Sequence, residues 1–159
     1  MNLDAVLQWV AALPFAVFLR DSSIGYLLAN AAHIAALGVL IGSIMALDLR
    51  LLRARGTLPL SEFGPYLSRM AAIALLVAAV TGLLLFSVKP DEYVRNPAFL
   101  AKLAIVGLGI ANALWLHAGP GWRRALAGPD IPGSIRVHAA LSLLFWLSAI
   151  VAGRWIGFL

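Results

Sequence analysis

Four long apolar segments with very few charges constrain this sequence more than any other feature. They cover residues 24–49, 66–88, 97–117 and 133–158. As helices they are long enough to cross the hydrocarbon core of a bilayer, which is about 30 Å thick. Of the 159 residues 62% are hydrophobic and 12% are charged, against roughly 45–50% and about 25% in soluble domains. The sequence therefore predicts an all-α fold in which residues 1–159 form a single membrane domain, a four-transmembrane-helix bundle.

The N-terminal segment, residues 1–19, is apolar but too short to be a fifth span of the same kind. Pro14 interrupts it, and Gln8 and Trp9 lie inside it. As a helix its apolar part would be about 22 Å long, less than the hydrocarbon core. We predict an interfacial helix, and a re-entrant segment or an uncleaved first anchor are the alternatives.

Several classes of function are excluded by what the sequence lacks. It has no cysteine, which removes disulfides, thiolate catalysis, iron–sulfur ligation and c-type haem attachment. It also has no phosphate loop, His-Glu-x-x-His motif or nucleophile elbow, so no enzyme class is indicated. The net charge of +5 comes from basic residues at the segment ends, which favours lipid headgroups over nucleic acid as the partner.

A polar stripe in the first span is the main candidate site. Tyr26, Asn30 and His33 are spaced by four and three residues and so share one helix face. Such a face is expected to turn toward the bundle interior. His33 is either hydrogen-bonded to a neighbouring helix, a ligand of haem or a metal, or part of a proton relay.

Two further histidines lie where the third and fourth spans meet. His117 ends one span and His138 begins the next, so they are expected at similar depth. They are either a bis-histidine haem pair or two interfacial side chains bound to water and headgroups. Arg154, beside Trp155, is either an interface anchor or the partner of an anion such as a haem propionate.

Other residues are expected to serve the packing of the bundle. The Gly38/Gly42 and Gly153/Gly157 pairs are typical of close helix contacts. Asn112 is expected to bond across helices, and Lys102 to extend toward the headgroups. Asp48 is expected to pair with Arg50 or Arg69.

Several strings resemble, in order and over nearly the whole chain, a family of small four-helix integral membrane proteins of bacteria. They are Phe18-Leu19-Arg20-Asp21-Ser22, His33, Gly42-Ser43, Asp48-Leu49-Arg50-Leu51-Leu52, Asn96-Pro97-Ala98-Phe99-Leu100-Ala101-Lys102, Asn112-Ala113 with His117, and Gly153-Arg154-Trp155-Ile156-Gly157. That resemblance implies the fold and leaves the activity open. The layout is more loosely similar to copper-resistance D proteins and small membrane b-type cytochromes. That similarity makes His33 and His117 the first candidates for haem-iron or metal ligands, whereas His138 lies outside the shared strings.

In a bacterium this chain is expected in the inner membrane. The first and third connections with their flanking turns hold seven basic residues and the opposite side holds five. The positive-inside rule then places both termini in the periplasm. The seven are Arg50, Arg53, Arg55, Arg69, Arg123, Arg124 and Arg136.

Three functions remain open from the sequence. The first is a haem-binding or redox module with His33 as axial ligand of a haem b, the second ligand being His117, His138, Met45, Met70 or none. The second is a non-enzymatic membrane subunit that binds no cofactor and scaffolds a larger complex or forms a homo-oligomer. The third is a small transporter of protons, metal or solute, with the stripe lining its path.

Overall fold

The computed structural model describes residues 2–53, 59–128 and 130–158, and every regular element in them is a helix. The all-α prediction is thereby confirmed. Four of the helices are long and apolar enough to cross a membrane. In chain order the helices are α1 (Leu3–Ala11), α2 (Pro14–Asp21), α3 (Ser23–Leu52), α4 (Leu60–Val88), α5 (Pro90–Arg95), α6 (Pro97–Ala118), α7 (Pro120–Ala127) and α8 (Gly133–Trp155), followed by a 3₁₀ turn (Ile156–Phe158).

Local sequence signals set the helix starts. The Ser22 hydroxyl accepts a hydrogen bond from the Gly25 amide at the start of α3. The Asn96 side chain accepts from the amides of Ala98 and Phe99 at the start of α6. Both satisfy amides that have no partner inside the helix. Proline occupies the first position of α2, α5, α6 and α7, where its missing N–H costs nothing.

The N-terminal segment is two helices and not the single helix predicted for residues 1–19. α1 and α2 are bent by 63° relative to one another. The chain breaks before Pro14, and the Arg20 guanidinium donates to the Ala11 carbonyl at 2.8 Å across the bend. Together the pair has the apolar length of a broken span or a re-entrant segment, and α2 packs against α3 and α4.

The spans also differ from prediction at their ends. α3 continues to Leu52, and α4 begins at Leu60 and passes through Pro65. Because Pro65 is only the sixth residue of α4, its missing N–H removes a single hydrogen bond near the helix start. Short helices, α5 and α7, occupy two of the connections between the spans.

α3 and α8 form the middle of the bundle. α3 packs against α4 and α8, and α8 packs against α6, whereas α4 and α6 touch only weakly. We call the end where α3 and α6 begin the α5 end. The opposite end is called the arginine end, after Arg50, Arg53, Arg69, Arg123, Arg124 and Arg136.

The outer surface of the four spans is apolar. Only 17–33% of the residues in the most apolar window of each span are buried inside the protein. Large side chains such as Leu76, Leu83 and Leu114 are about two-thirds exposed. A surface of this kind requires an apolar solvent, and lipid supplies one.

Apolar packing is concentrated in the middle of the bundle and at the arginine end. The central cluster is built around Leu40, Ala74 and Trp146. The indole of Trp146 lies over Gly109, where an added Cβ would be 3.2 Å from the ring. The cluster at the arginine end contains ten buried residues: Leu47, Leu51, Leu60, Leu67, Leu116, Trp122, Ala125, Ile131, Ile135 and Ala139.

The glycine pair on α3 does not pack within the bundle. No atom lies within 4 Å of a Cβ added at Gly38 or Gly42, and both residues are exposed. Within the described residues this pair therefore makes no close contact with a neighbouring helix. Gly153, in contrast, packs against Lys102.

Candidate functional site

His33 is bound to the neighbouring helix through one ring nitrogen. Its Nδ1 lies 3.0 Å from the Thr81 Oγ1 on α4. The Thr81 hydroxyl has one hydrogen to donate. It donates this hydrogen to the Val77 carbonyl at 2.7 Å, and the Ala78 carbonyl is also close, at 3.2 Å. The Thr81 oxygen therefore accepts from His33 Nδ1–H. The Ala78 carbonyl is a second acceptor for the His33 ring. With Nδ1–H in these hydrogen bonds, the neutral ring carries its lone pair on Nε2, for which the described residues show no separate partner.

Gly82 allows the imidazole to approach α4 this closely. An added Cβ at Gly82 would lie 3.2 Å from His33 Cε1, closer than ordinary contact. A residue with a Cβ at this position would require the ring to shift by a few tenths of an ångström. His33 is half-buried, in agreement with the expected inward orientation.

Lys102 brings a positive charge into the same region of the bundle. Its side chain lies along the backbone of α8, where an added Cβ at Gly153 would be 3.5 Å from the lysine Nζ. Its ammonium is within electrostatic range of His33. No carboxylate in the described part of the chain forms an ion pair with it. A half-buried lysine without a counter-charge between apolar helices can attract an anionic group.

The rest of the predicted stripe does not join this site. Asn30 is exposed, because its position on α3 faces away from the neighbouring helices. Tyr26 is 38% exposed and its hydroxyl is hydrogen-bonded to that of Tyr93 on α5. Of the three stripe residues, the structure therefore brings only His33 to the interior.

Tyr93 belongs to an aromatic cluster that covers the α5 end. Its ring lies 5.2 Å from that of Phe99 and 6.1 Å from that of Phe86. Burial raises the pKa of Tyr93 above its ordinary value of 10.0, and the contact with Tyr26 raises it further.

The raised pKa gives a prediction for alkaline solution. Because the folded-state pKa lies above the free value, the contact stabilises the α5 end below about pH 10, and this stabilisation is lost as the pH rises through the folded-state pKa. Tyrosinate absorbance should therefore show a late phase of ionisation that belongs to Tyr93. Tyr93→Phe should remove that late phase, whereas Tyr66→Phe should leave it. A late phase that persists in Tyr93→Phe would contradict the assignment.

His117 is held by protein groups at both nitrogens. Nδ1–H donates to the Ala113 carbonyl at 2.7 Å, and Nε2 lies 2.9 Å from the Ser68 hydroxyl of α4. Its ring also lies 4.7 Å from that of Trp122. Neither nitrogen is therefore available to a ligand in this arrangement.

His138 and Asn112 form a reciprocal pair. His138 Nδ1 lies 2.7 Å from the Asn112 Oδ1, and the Asn112 amide donates to the His138 carbonyl at 2.9 Å. The prediction that Asn112 bonds across helices is confirmed. His138 and His117 thus have separate partners, although both lie at the arginine end as expected.

Two charged residues have contacts that the sequence did not indicate. Asp48 is buried and is hydrogen-bonded to Ser142 on α8. Arg154 is exposed and lies over the Phe158 ring at 4.7 Å, a local contact at the end of α8.

Sequence reasoning missed Thr81, Gly82 and the inward position of Lys102. Their only signal was their position within apolar spans.

The described residues contain no group of three histidine or acidic side chains placed to hold a metal ion. A metal at His33 would therefore have to bring other ligands of its own, as a haem iron does.

The fold and the site together are those of a multi-pass helical membrane protein with a polar site between its spans. The chain belongs to the Family of unknown function (DUF6644), whose match covers residues 17–159. No curated protein and no solved structure matches it. The looser similarity to copper-resistance D proteins and b-type cytochromes remains a prediction.

Proposed function

We propose that this protein is a haem-binding redox module of the membrane, with Nε2 of His33 as axial ligand of a b-type haem. The observation that carries the proposal is the hydrogen-bond chain from Val77 through Thr81 to His33 Nδ1. Metal-binding histidines commonly donate their other N–H to a fixed acceptor, which sets the tautomer and the ring orientation. His33 has this arrangement, with the second nitrogen left free.

The surroundings of His33 also fit the chemistry of haem. The spans are apolar, as the macrocycle requires, and the Lys102 ammonium has no carboxylate partner in the described residues. Haem carries two propionate groups, and a buried cation offsets such charge. When bound, the haem would supply one-electron chemistry, and the apolar helices would exclude water and tune its potential.

Helix geometry favours a single protein ligand. His117 lies fifteen residues beyond Lys102 on α6, about 22 Å along the helix. His138 lies equally far from Gly153 on α8. Met45 and Met70 are about 16–18 Å along their helices from His33 and Thr81. None of these side chains reaches the iron that His33 would bind.

The visible spectrum tests the proposal. The protein, expressed with adequate haem supply and purified in mild detergent, should show a Soret band that shifts on reduction. Because none of the other candidate side chains would reach the iron, carbon monoxide should shift the band of the reduced protein. His33→Ala should lose the band.

His138→Ala is the matched control, since His138 also has Nδ1 bonded and Nε2 free. It should keep the band. A colourless wild-type protein that takes up no added haem would overturn the proposal. So would a band that survives in His33→Ala and disappears in His138→Ala.

A non-enzymatic membrane subunit is the second candidate, and the open α3 surface favours it. Gly38 and Gly42 lie in an exposed row of small residues with Ala31, Ala35 and Ala46. Small residues let a helix of another copy or of a larger complex approach closely.

A colourless protein that co-purifies with a stoichiometric partner would support this non-enzymatic function. A colourless, partner-free protein that changes ion flux in liposomes supports the transporter.

We place the protein in a bacterial inner membrane with both termini periplasmic, so that the α5 end and the His33 site face the periplasm. The excess of arginine at the other end supports this orientation. Reaction of single-cysteine variants at Asp91 and Arg123 with an impermeant thiol reagent in intact cells would test it. Labelling at position 91 alone is expected, and labelling at position 123 alone would reverse the orientation.

A further inference from the structure

Asp48 is the most deeply buried charged residue in the described part of the chain. It lies four residues before the end of α3 and is 3% exposed. Its neighbours in sequence, Leu47 and Leu51, belong to the apolar cluster of the arginine end. Neither the haem proposal nor the packing of the bundle gives this carboxyl a role.

The hydrogen bonding of Asp48 is incomplete. The Ser142 hydroxyl on α8 is its side-chain partner. The Oδ2 atom is buried and has no hydrogen-bond partner among the described residues. This carboxyl oxygen therefore faces the protein interior without a hydrogen-bond donor.

The described residues show no ion pair of Asp48 with a basic group. Burial and the Ser142 hydroxyl are the influences found on its carboxyl, although every helix packed at the arginine end carries a basic group. The Nε atom of Arg136 is itself buried without a hydrogen bond. The titratable groups at this end are Arg50 and Arg53 on α3, Glu62 and Arg69 on α4, His117 on α6, Arg123 and Arg124 on α7, Asp130 before α8, and Arg136 and His138 on α8.

A carboxylate in such a position is far less favourable than a neutral carboxylic acid. A buried charge without a counter-ion is strongly destabilising, as is a buried ion pair from which one partner has been removed. The neutral acid can donate its proton to the Ser142 hydroxyl, which leaves only a carbonyl-type oxygen without a partner. Protein interiors tolerate an unsatisfied carbonyl oxygen better than an unsatisfied donor.

We propose that Asp48 is a proton-binding site between α3 and α8, whose carboxyl holds an exchangeable proton at neutral pH. The end of α3 is about 6 Å away along the helix, so the proton has a short path to water at the arginine end. Intramembrane acids of this kind are the proton-carrying elements of relays. The site is about 22 Å from His33 along α3 and does not depend on haem binding.

Infrared spectroscopy tests this site directly. At neutral pH in an ester-free detergent, the wild-type protein should show the carbonyl stretch of one protonated carboxyl. The band should move on transfer to D₂O, because the proton exchanges. Labelling the aspartate carboxyls with ¹³C should move it as well, which assigns it to an aspartate without any substitution.

The variants then identify the residue. Asp48→Asn, which preserves the size of the side chain, should abolish the band, and Glu62→Gln, which alters an exposed acid on α4, should keep it. Wild-type protein without the band would overturn the proposal, as would a band that persists in Asp48→Asn. A band unmoved by D₂O would overturn the exchange. If Asp48→Asn does not fold, the isotope shifts in the wild-type protein still decide the outcome.

Discussion

Thr81→Val is expected to weaken haem binding by about 10- to 100-fold, the usual effect of removing the group that orients a metal-bound histidine. Valine keeps the shape of threonine but offers no acceptor to His33 Nδ1–H. The imidazole then keeps only the Ala78 carbonyl as an acceptor, so its tautomer and its orientation toward the ligand are less firmly fixed. The measurement is a titration of the apoprotein with haem, followed by the Soret absorbance.

Two control variants separate orientation of the ligand from damage to α4. Thr81→Ser keeps the hydroxyl and should bind haem close to the wild-type affinity. Ser87→Ala, on the same helix, removes a hydroxyl that donates to the Leu84 carbonyl at 2.7 Å but does not contact His33. It should leave affinity unchanged. Equal affinity in Thr81→Val and wild type would show that Thr81 does not orient a ligand.

Trp146→Ala is expected to destabilise the bundle by about 3 kcal/mol, the low end of the range for tryptophan truncation in soluble cores. The indole is 5% exposed and fills the space between α8 and Gly109 of α6, in the cluster with Leu40 and Ala74. Lipid is as apolar as the side chain, so the loss consists of packing contacts and not of hydrophobic transfer. Unfolding by a denaturing detergent, followed by circular dichroism, measures the effect.

Trp115→Ala is the comparison for this second substitution. Trp115 lies on α6, the helix that packs against the α8 helix of Trp146, and it is 75% exposed. Its truncation therefore creates no internal cavity. A change within about 0.5 kcal/mol is expected. If the two tryptophan variants lost the same stability, the central contact between α6 and α8 would not be a main source of stability.

The spans could be predicted because their signal is local and strong. A run of more than twenty apolar residues has few options besides a membrane helix, and Asn96-Pro97 or Ser22 mark a helix start by their own chemistry. The break before Pro14 was visible as well, but the 63° bend that it produces was not. An angle depends on what both helices contact.

Faces of the spans were harder to predict than their positions. In a soluble helix polarity distinguishes the buried side, but here lipid and protein interior are equally apolar. The Gly38/Gly42 pair therefore looked like an internal contact, although it lies on the outer surface. Lys102 looked like a side chain directed at headgroups, although it lies along α8 near His33.

The amino-acid sequence by itself determined the class of this protein, because backbone groups in lipid must be satisfied within each helix and only long apolar helices do so. It also determined that His33 lies within a span and that polar residues there are few. The tertiary structure alone decided the partners: Thr81 for His33, Gly153 for Lys102, Ser142 for Asp48 and Asn112 for His138. Each partner comes from a different helix, 26 to 94 residues away in the sequence, and no local pattern encodes which helix faces will meet.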